Sequence, residues 1–172
     1  VLRGSNYIFD GGQLLGPTAI LENSAGLIME VSAGNSSVTS TNLSGDGTLI
    51  QIGDGTLTLS SYNNLTGETQ ISGGVLQAGR NSAFGTGGSS PYNVVSGAIL
   101  DLNHTTQVGG QTRGDGDTSI GSGSLTLNQI NDVTYGGNLS GVGALIKNYS
   151  GVLTLTAGGG SVGSAAGHGG GL

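Results

Sequence analysis

The side chains best placed to carry chemistry lie between Thr112 and Asp117, where the sequence reads TRGDGD. Arg113-Gly114-Asp115 sets a guanidinium two residues before a carboxylate in a glycine-flanked segment. Such a turn can present one charge to an acidic groove and the other to a metal ion. The alternative is an ordinary surface turn, which a chain with 37 glycines should contain many times.

Four aspartates in glycine-bounded turns form a second group that could ligate Ca²⁺ through carboxylate and carbonyl oxygens. They are Asp46, Asp54, Asp115 and Asp117. The nonapeptide calcium repeat GGxGxDx is absent, and Asp in a turn commonly accepts a hydrogen bond from a backbone amide. We therefore expect these aspartates to stabilise turns, and we predict no metal site and no cofactor.

The two histidines, His104 and His168, raise the question of a Ser-His-Asp triad. Neither lies near a GxSxG or GDSG motif, so both are predicted to be solvated loop residues. A pectate-lyase-like site needs clustered Asp with an Arg or Lys base, and the one such cluster is Arg113 with Asp115 and Asp117. The chain is predicted to have no catalytic residue and not to be an enzyme, with a polysaccharide lyase as the lesser alternative.

The composition excludes several classes of partner. The 172 residues include 4 Lys plus Arg, 10 Asp plus Glu and no Cys, and the net charge is -6. So few cations cannot neutralise a run of phosphates, which excludes nucleic acid. No stretch approaches the roughly 18 apolar residues of a transmembrane helix, so direct membrane insertion is not expected.

The candidate functional side chains must be positioned by short strands in which apolar and polar residues alternate with a period of two. Glycine-rich turns separate the runs TLIQI, TLTLS, TQIS, VLQA, AILDL, SLTLN, ALIKN and VLTLT. Each run is predicted to bury one face, with leucines such as Leu57, Leu59, Leu153 and Leu155 inside. Five dispersed tyrosines could form a carbohydrate-stacking surface, but half-buried positions at strand edges are expected instead.

An internal repeat decides between two all-β architectures. Residues Leu43–Ser61 and Leu139–Ala157 agree at 10 of 19 positions over a separation of 96 residues. An antiparallel sandwich or barrel would also accommodate short strands, but repetition favours a parallel β-helix whose stacked coils share one core. With coils of roughly 20 to 25 residues, the chain makes about seven to eight coils, and 96 residues make about four.

The segment Gly55–Gln77 resembles the autotransporter-associated β-strand repeat of bacterial passenger domains. The positions that match are Gly55, Leu57, Leu59, Asn63, Gly67, Thr69, Ile71, Gly74 and Leu76. Ser61 and Leu65 depart mildly from the pattern, and Lys147 occupies the lysine position of the family's lead-in phrase. The resemblance implies a right-handed parallel β-helix, located on the outer-membrane surface of a Gram-negative bacterium or in the extracellular space.

Residues 1–157 are predicted to form the β-helix, and residues 158–172 a Gly-rich tail or linker. Since neither a leader nor a membrane barrel is recognisable, a passenger fragment or a subunit of something larger is expected. The functional hypothesis is a structural or adhesive segment that mediates adhesion or cell–cell association. Its partners would be host or neighbouring-cell surface molecules, or copies of itself.

The main alternative function is a subunit of a self-assembling extracellular β-solenoid fibre, because open terminal strands recruit further strands. In the adhesive hypothesis, Arg113-Gly114-Asp115 resembles the integrin-binding tripeptide of some surface adhesins and is the candidate adhesive loop.

Overall fold

Short strands make up the regular structure, and they pair in parallel throughout the described chain. The computed structural model describes residues 1–3, 6–10, 18–22, 25–85, 88–157 and 163–167. Over these ranges the chain has no helix of the length and apolar character needed to span a membrane.

The strands in chain order are β1 Leu2–Arg3, β2 Asn6–Asp10, β3 Thr18–Glu22, β4 Gly26–Glu30, β5 Ser36–Thr39, β6 Asn42–Gly45, β7 Thr48–Ile52, β8 Thr56–Leu59, β9 Asn64–Leu65, β10 Thr69–Ile71, β11 Val75–Ala78, β12 Tyr92–Val94, β13 Ile99–Asp101, β14 Thr106–Gly109, β15 Thr112–Gly114, β16 Asp117–Gly121, β17 Ser124–Asn128, β18 Val133–Tyr135, β19 Leu139–Gly141, β20 Ala144–Asn148, β21 Leu153–Leu155 and β22 Ser164–Gly167.

These strands wind around three faces. Face 1 is the eight-stranded sheet β2-β4-β7-β10-β12-β15-β18-β21, and face 2 is the six-stranded sheet β5-β8-β11-β13-β16-β19. Face 3 consists of two four-stranded sheets, β1-β3-β6-β9 and β14-β17-β20-β22. Because the chain returns to face 1 once in every coil, eight strands there mark about seven turns. The predicted all-β, parallel β-solenoid is confirmed.

The coils are nearly constant in length. On face 1, Leu49 pairs with Thr69, Thr69 with Tyr92 and Tyr92 with Thr112, which gives separations of 20, 23 and 20 residues. The longer coil contains an excursion, described over residues 79–85 and 88–91, which interrupts face 3. Its turn at 81–84 still links the two sheets of that face, because Asn63 Nδ2 donates to Ala83 O and Ser82 N donates to Thr106 O.

Inward side chains stack in ladders along the solenoid. On face 2, Leu57, Leu76 and Leu100 share one register on consecutive coils, and all three are fully buried. Burying each leucine contributes about 2 kcal/mol. The expectation for Leu155 was wrong, since 42% of its surface is exposed. The reason is that β21 is the last strand of face 1, with no described strand beyond it.

The corners between faces explain the abundance of glycine. In the corner 45–47, Gly45 has a φ of 106°, a conformation that residues with a Cβ rarely adopt. A Cβ on Gly47 would overlap Ala25 O and the Leu21 side chain of the preceding coil. In the corner 141–143, Gly141 likewise has a positive φ, and a Cβ on Gly143 would likewise overlap the preceding coil. In both corners the first glycine has a positive φ, and both glycines lie too close to the preceding coil to carry a Cβ.

The 96-residue repeat does not correspond to four whole coils. Leu43 lies in β6 on face 3, whereas its repeat partner Leu139 lies in β19 on face 2. Likewise Leu57 is on face 2 and its partner Leu153 is on face 1. The repeat is therefore displaced by one face, because the unit that recurs is a strand-corner-strand segment and all three faces use the same corner chemistry.

The glycine-rich C-terminal region contains one described strand. Residues 164–167 form β22, which pairs with β20 and continues face 3. Residues 158–162 and 168–172, including His168, lie outside the described part of the chain. The division into a solenoid at 1–157 and a tail at 158–172 stays a prediction.

Two tyrosines are fully buried in the solenoid core, which corrects the expectation of half-buried edge positions. Tyr92 and Tyr135 each have no exposed surface. Tyr135 Oη donates to Gly116 O and lies 2.8 Å from Thr118 Oγ1. Burial raises the pKa of Tyr135 to about 12 from its ordinary value of 10.0, and it also raises the pKa of Tyr92.

We predict that alkaline pH unfolds the solenoid, in part through Tyr135. The folded state prefers the neutral phenol, so the stabilisation is fully present below about pH 10 and is lost as the pH rises through about 12. Two pKa units correspond to a loss of about 2.7 kcal/mol. Urea midpoints should fall as the pH rises through this range, and they should fall less steeply for Tyr135→Phe than for the unmodified chain. The prediction is wrong if the absorbance of tyrosinate from the buried rings appears at a lower pH than the loss of the β-strand signal in circular dichroism.

Candidate ligand-binding groove

The corners that lead from face 3 to face 1 differ in length between coils. Between β14 and β15 the corner consists of residues 110–111, whereas the next two corners consist of residues 129–132 and 149–152. On the other side, residues 88–91 of the long excursion lead into β12. A two-residue corner between longer neighbours leaves a depression on the solenoid surface.

That depression is a groove with a volume of about 440 Å³, within the range of small-molecule sites. It crosses several coils and opens to solvent. Its lining includes both polar and apolar side chains, chiefly Pro91, Gln111, Asn128, Ile130, Asn131 and Tyr149. No charged side chain lines it among the described residues.

Asn128 gives the groove a rigid floor. Its Nδ2 donates to Gly88 O at 3.2 Å, and its Oδ1 accepts a hydrogen bond from Asn148 Nδ2 at 3.0 Å. Asn148 lies at the same register one coil further along face 3. The amide ladder therefore connects the excursion to β17 and β20 and holds both sides of the groove.

Tyr149 forms one end of the groove and is held in an unusual backbone conformation. Its φ is 66°, and its side chain is exposed. Its carbonyl accepts a 2.7 Å hydrogen bond from Lys147 Nζ, which also donates to Gly151 O at 2.7 Å. Lys147 itself is fully buried. This lysine therefore ties down the corner that carries the exposed ring.

Several polar side chains of the groove have no hydrogen-bond partner in the part of the chain that the structure describes. The side-chain amides of Gln111 and Asn131 and the hydroxyl of Tyr149 make no hydrogen bond to any described residue. Ile130, which also lines the groove, is 65% exposed. The groove thus offers neutral donors and acceptors beside an aromatic ring and an aliphatic side chain.

The predicted adhesive tripeptide begins two residues beyond Gln111 but does not line the groove. Arg113 is exposed in the middle of strand β15, and its guanidinium forms an ion pair with Glu68. Gly114 has a φ of 101°, and a Cβ there would overlap Val94 O. Asp115 is exposed at the corner. Gly114 and Asp115 thus belong to a Gly-x-Gly corner like that at 45–47, and the adhesive role stays a prediction.

The aspartates considered for calcium are scattered over the surface. Asp46, Asp54 and Asp115 are exposed in separate corners. Asp117 Oδ1 accepts a 2.9 Å hydrogen bond from the backbone amide of Asn138 on the next coil. Over the described ranges, no three acidic or histidine side chains are grouped closely enough to hold a metal ion.

His104 lies beside Ser122, but the arrangement differs from that of a catalytic triad. His104 Nδ1 is 3.0 Å from Ser122 Oγ and accepts a hydrogen bond from Ser122 N at 3.1 Å. The backbone amide therefore occupies the nitrogen that a triad aspartate would engage. His104 is exposed in a turn, with a φ of 62°.

The groove residues were missed in the sequence because their significance depends on neighbouring coils. Two local signals were nevertheless present. Ile130 is an apolar residue within the otherwise polar turn QIND, and Lys147 has the same strand parity as the inward Leu145. Among the tyrosines whose side chains the structure describes, Tyr62 and Tyr149 are exposed, and of these two only Tyr149 lines the groove.

Comparison with known proteins places the fold in a family. The passenger-associated-transport-repeat model matches residues 49–78, which form β7 to β11. The adhesin BmaC autotransporter of Brucella suis biovar 1 (strain 1330) is 34% identical to the chain over 143 residues. The match covers 79% of the chain and 4% of that adhesin. No solved structure matches the chain significantly.

The segment that matches the passenger repeat overlaps the segment whose residues resemble the autotransporter-associated repeat. The similarity to an autotransporter adhesin then extends across most of the solenoid. A passenger of this class is displayed on the surface of a Gram-negative bacterium. The chain belongs to the passenger domains of bacterial autotransporters.

Proposed function

We propose that this chain is a non-enzymatic, adhesive segment of an autotransporter passenger, which mediates adhesion to host surfaces or association between cells. The observation that carries the proposal is its similarity to an autotransporter adhesin over 79% of its length. Because the chain spans only 4% of that adhesin, the partners of this segment are part of the proposal.

The architecture supports such a role. Stacked coils present one extended lateral surface, since each coil packs only against its neighbours. A passenger segment of this kind holds its surface groups at set distances from the cell. Binding would then occur on the faces or corners of the solenoid, with no reacting group required.

We test the proposal by surface display. The full chain, fused to a membrane barrel, should increase attachment of a non-adherent bacterium to cultured epithelial cells or cause settling of bacterial suspensions. An equally displayed in-frame deletion of residues 25–157 serves as the control. Antibody labelling must show equal surface amounts. If displayed chain and deletion behave alike in both assays, the proposal is wrong.

The tripeptide provides a more specific variant for the same assay. If Arg113-Gly114-Asp115 contributes to adhesion, Asp115→Ala should reduce attachment severalfold, whereas Asp46→Ala should not. The two aspartates occupy corresponding places in Gly-x-Gly corners, and only Asp115 follows an Arg-Gly pair. Equal behaviour of the two variants would remove the tripeptide from the proposal.

Self-assembly into a fibre is the alternative proposal, because β21 has no described neighbour beyond it on face 1 and an unpaired strand edge recruits further strands. Filaments of the isolated chain under the electron microscope would favour it. A chain that stays monomeric by light scattering at high concentration would exclude it.

A further inference from the structure

We propose that the groove between residues 88–91 and Tyr149 binds a neutral oligosaccharide. This inference rests on the proposed adhesive function and names the class of ligand. It follows from the polar groups, the apolar surface, the charge and the strand pairing at the groove.

The polar groups suit sugar hydroxyls. The side-chain amides of Gln111 and Asn131 each combine a carbonyl acceptor with two N–H donors, and neither has a partner among the described residues. A sugar hydroxyl is likewise a donor and an acceptor at one atom. Amides can therefore satisfy adjacent hydroxyls, as a groove lined only by carboxylates or only by cations could not.

The apolar surface suits the C–H face of a sugar ring. Tyr149 is 58% exposed, and its ring lies near the exposed Ile130 at the same groove. An amphipathic ring with a polar tip can pack against C–H groups and still bond to a hydroxyl. Isolated exposed apolar residues are ordinary on protein surfaces, but here they adjoin unpartnered amides within one concavity.

The charge at the groove disfavours anionic ligands. No lysine or arginine lines it among the described residues, and the net charge of the chain is -6. Lys147 lies underneath, buried and hydrogen-bonded to the carbonyls of Tyr149 and Gly151. A sialylated or sulfated glycan would find no cation among the described lining residues, and the guanidinium of Arg113, two residues beyond Gln111, is already paired with Glu68. The proposal is therefore limited to neutral glycans.

The strand pairing disfavours a peptide in extended conformation. Such a peptide usually adds a strand to an exposed sheet edge. Beside the groove, β15 is paired with β12 and β18, and β17 is paired with β14 and β20. These strands have no free edge. The end strand of that sheet, β14, is covered by the excursion, since Ser82 N donates to Thr106 O and Gly110 N donates to Ser90 O. Recognition at the groove is therefore expected to use side chains.

The groove is also organised in advance. Lys147 restrains the Tyr149 corner and Asn128 joins both walls, so little order must be acquired on binding. The groove reaches from the 88–91 segment across the corners of three further coils. At about 4.8 Å per coil, the span is roughly 14 Å, which accommodates a short oligosaccharide.

The test probes a printed array of neutral, sialylated and sulfated oligosaccharides with the full chain. We expect binding to neutral members, reduced about tenfold by Tyr149→Gly, a change equivalent to about 1.4 kcal/mol. Glycine adopts the positive φ of this position without a Cβ penalty, so the urea midpoint should be unchanged or raised. Asn131→Leu should also weaken binding. Tyr62→Ala, at an exposed tyrosine on another corner, is the matched control and should bind normally.

Each contrary outcome has a definite meaning. Binding only to anionic glycans, no binding above background by the folded chain, or binding unaffected by Tyr149→Gly would overturn the inference. Capture of peptides in place of glycans would overturn it as well. If the displayed chain still mediates attachment while the array is blank, the ligand class is wrong and the adhesive function stands. If attachment is also absent, both are wrong.

Discussion

Gly47→Ala should lower the stability of the solenoid by about 3 kcal/mol, the upper part of the range for overpacking. The added Cβ would overlap Ala25 O and the Leu21 side chain on the preceding coil. Neither can move freely, because Ala25 O accepts a hydrogen bond from Thr48 N and Leu21 is fully buried. The coils would have to separate locally, and the parallel ladder around the corner would weaken.

Gly97→Ala is the matched control for this substitution. Gly97 has a φ of 86°, but a Cβ there would meet nothing within 4 Å. Its expected cost is only the conformational one, about 1 to 2 kcal/mol. Urea unfolding followed by circular dichroism compares the two. A larger loss for Gly97→Ala would show that conformation, rather than close packing of coils, makes the corners depend on glycine.

Leu76→Ala should destabilise the protein by about 3 to 5 kcal/mol, as expected for a leucine deleted from a rigid core. Leu76 lies between Leu57 and Leu100 in the inward ladder of face 2, and all three are fully buried. A truncated side chain would leave a cavity that two coil interfaces share. Parallel strands on both sides restrict the collapse that could fill it.

Leu155→Ala makes the same chemical change at an exposed position and serves as the control. With 42% of its surface exposed, Leu155 has far less apolar contact to lose, and a cost below about 1 kcal/mol is expected. Similar midpoints for both variants would mean that the inward ladder is not the main source of stability.

The fold was predictable because its determinants are local. Alternation in runs such as TLTLS and VLQA distinguishes inward from outward side chains without knowledge of other coils. The inward parity of Leu57 and Leu76 follows directly from this alternation, and both are buried. The 96-residue repeat then favoured stacked coils, although it did not reveal that its two copies occupy different faces.

The groove was not predictable in the same way. It exists because the corner at 110–111 is shorter than its neighbours at 129–132 and 149–152. Those residues are separated by about a coil in sequence and become neighbours only when the coils stack. Asn131 and Tyr149 look like ordinary turn residues until the structure places them beside one another.

By itself, the sequence determined the alternating strands and the glycine corners, because these depend on the period of the side chains and on local backbone conformation. The passenger family followed from the resemblance of Gly55–Gln77 to a known repeat. The tertiary structure decided that the corners from face 3 to face 1 form a groove, that Arg113 pairs with Glu68, and that Lys147 is buried beneath an exposed tyrosine. The physical reason is stacking. A parallel solenoid brings together residues about 20 positions apart, and small differences in coil length decide which side chains share a surface.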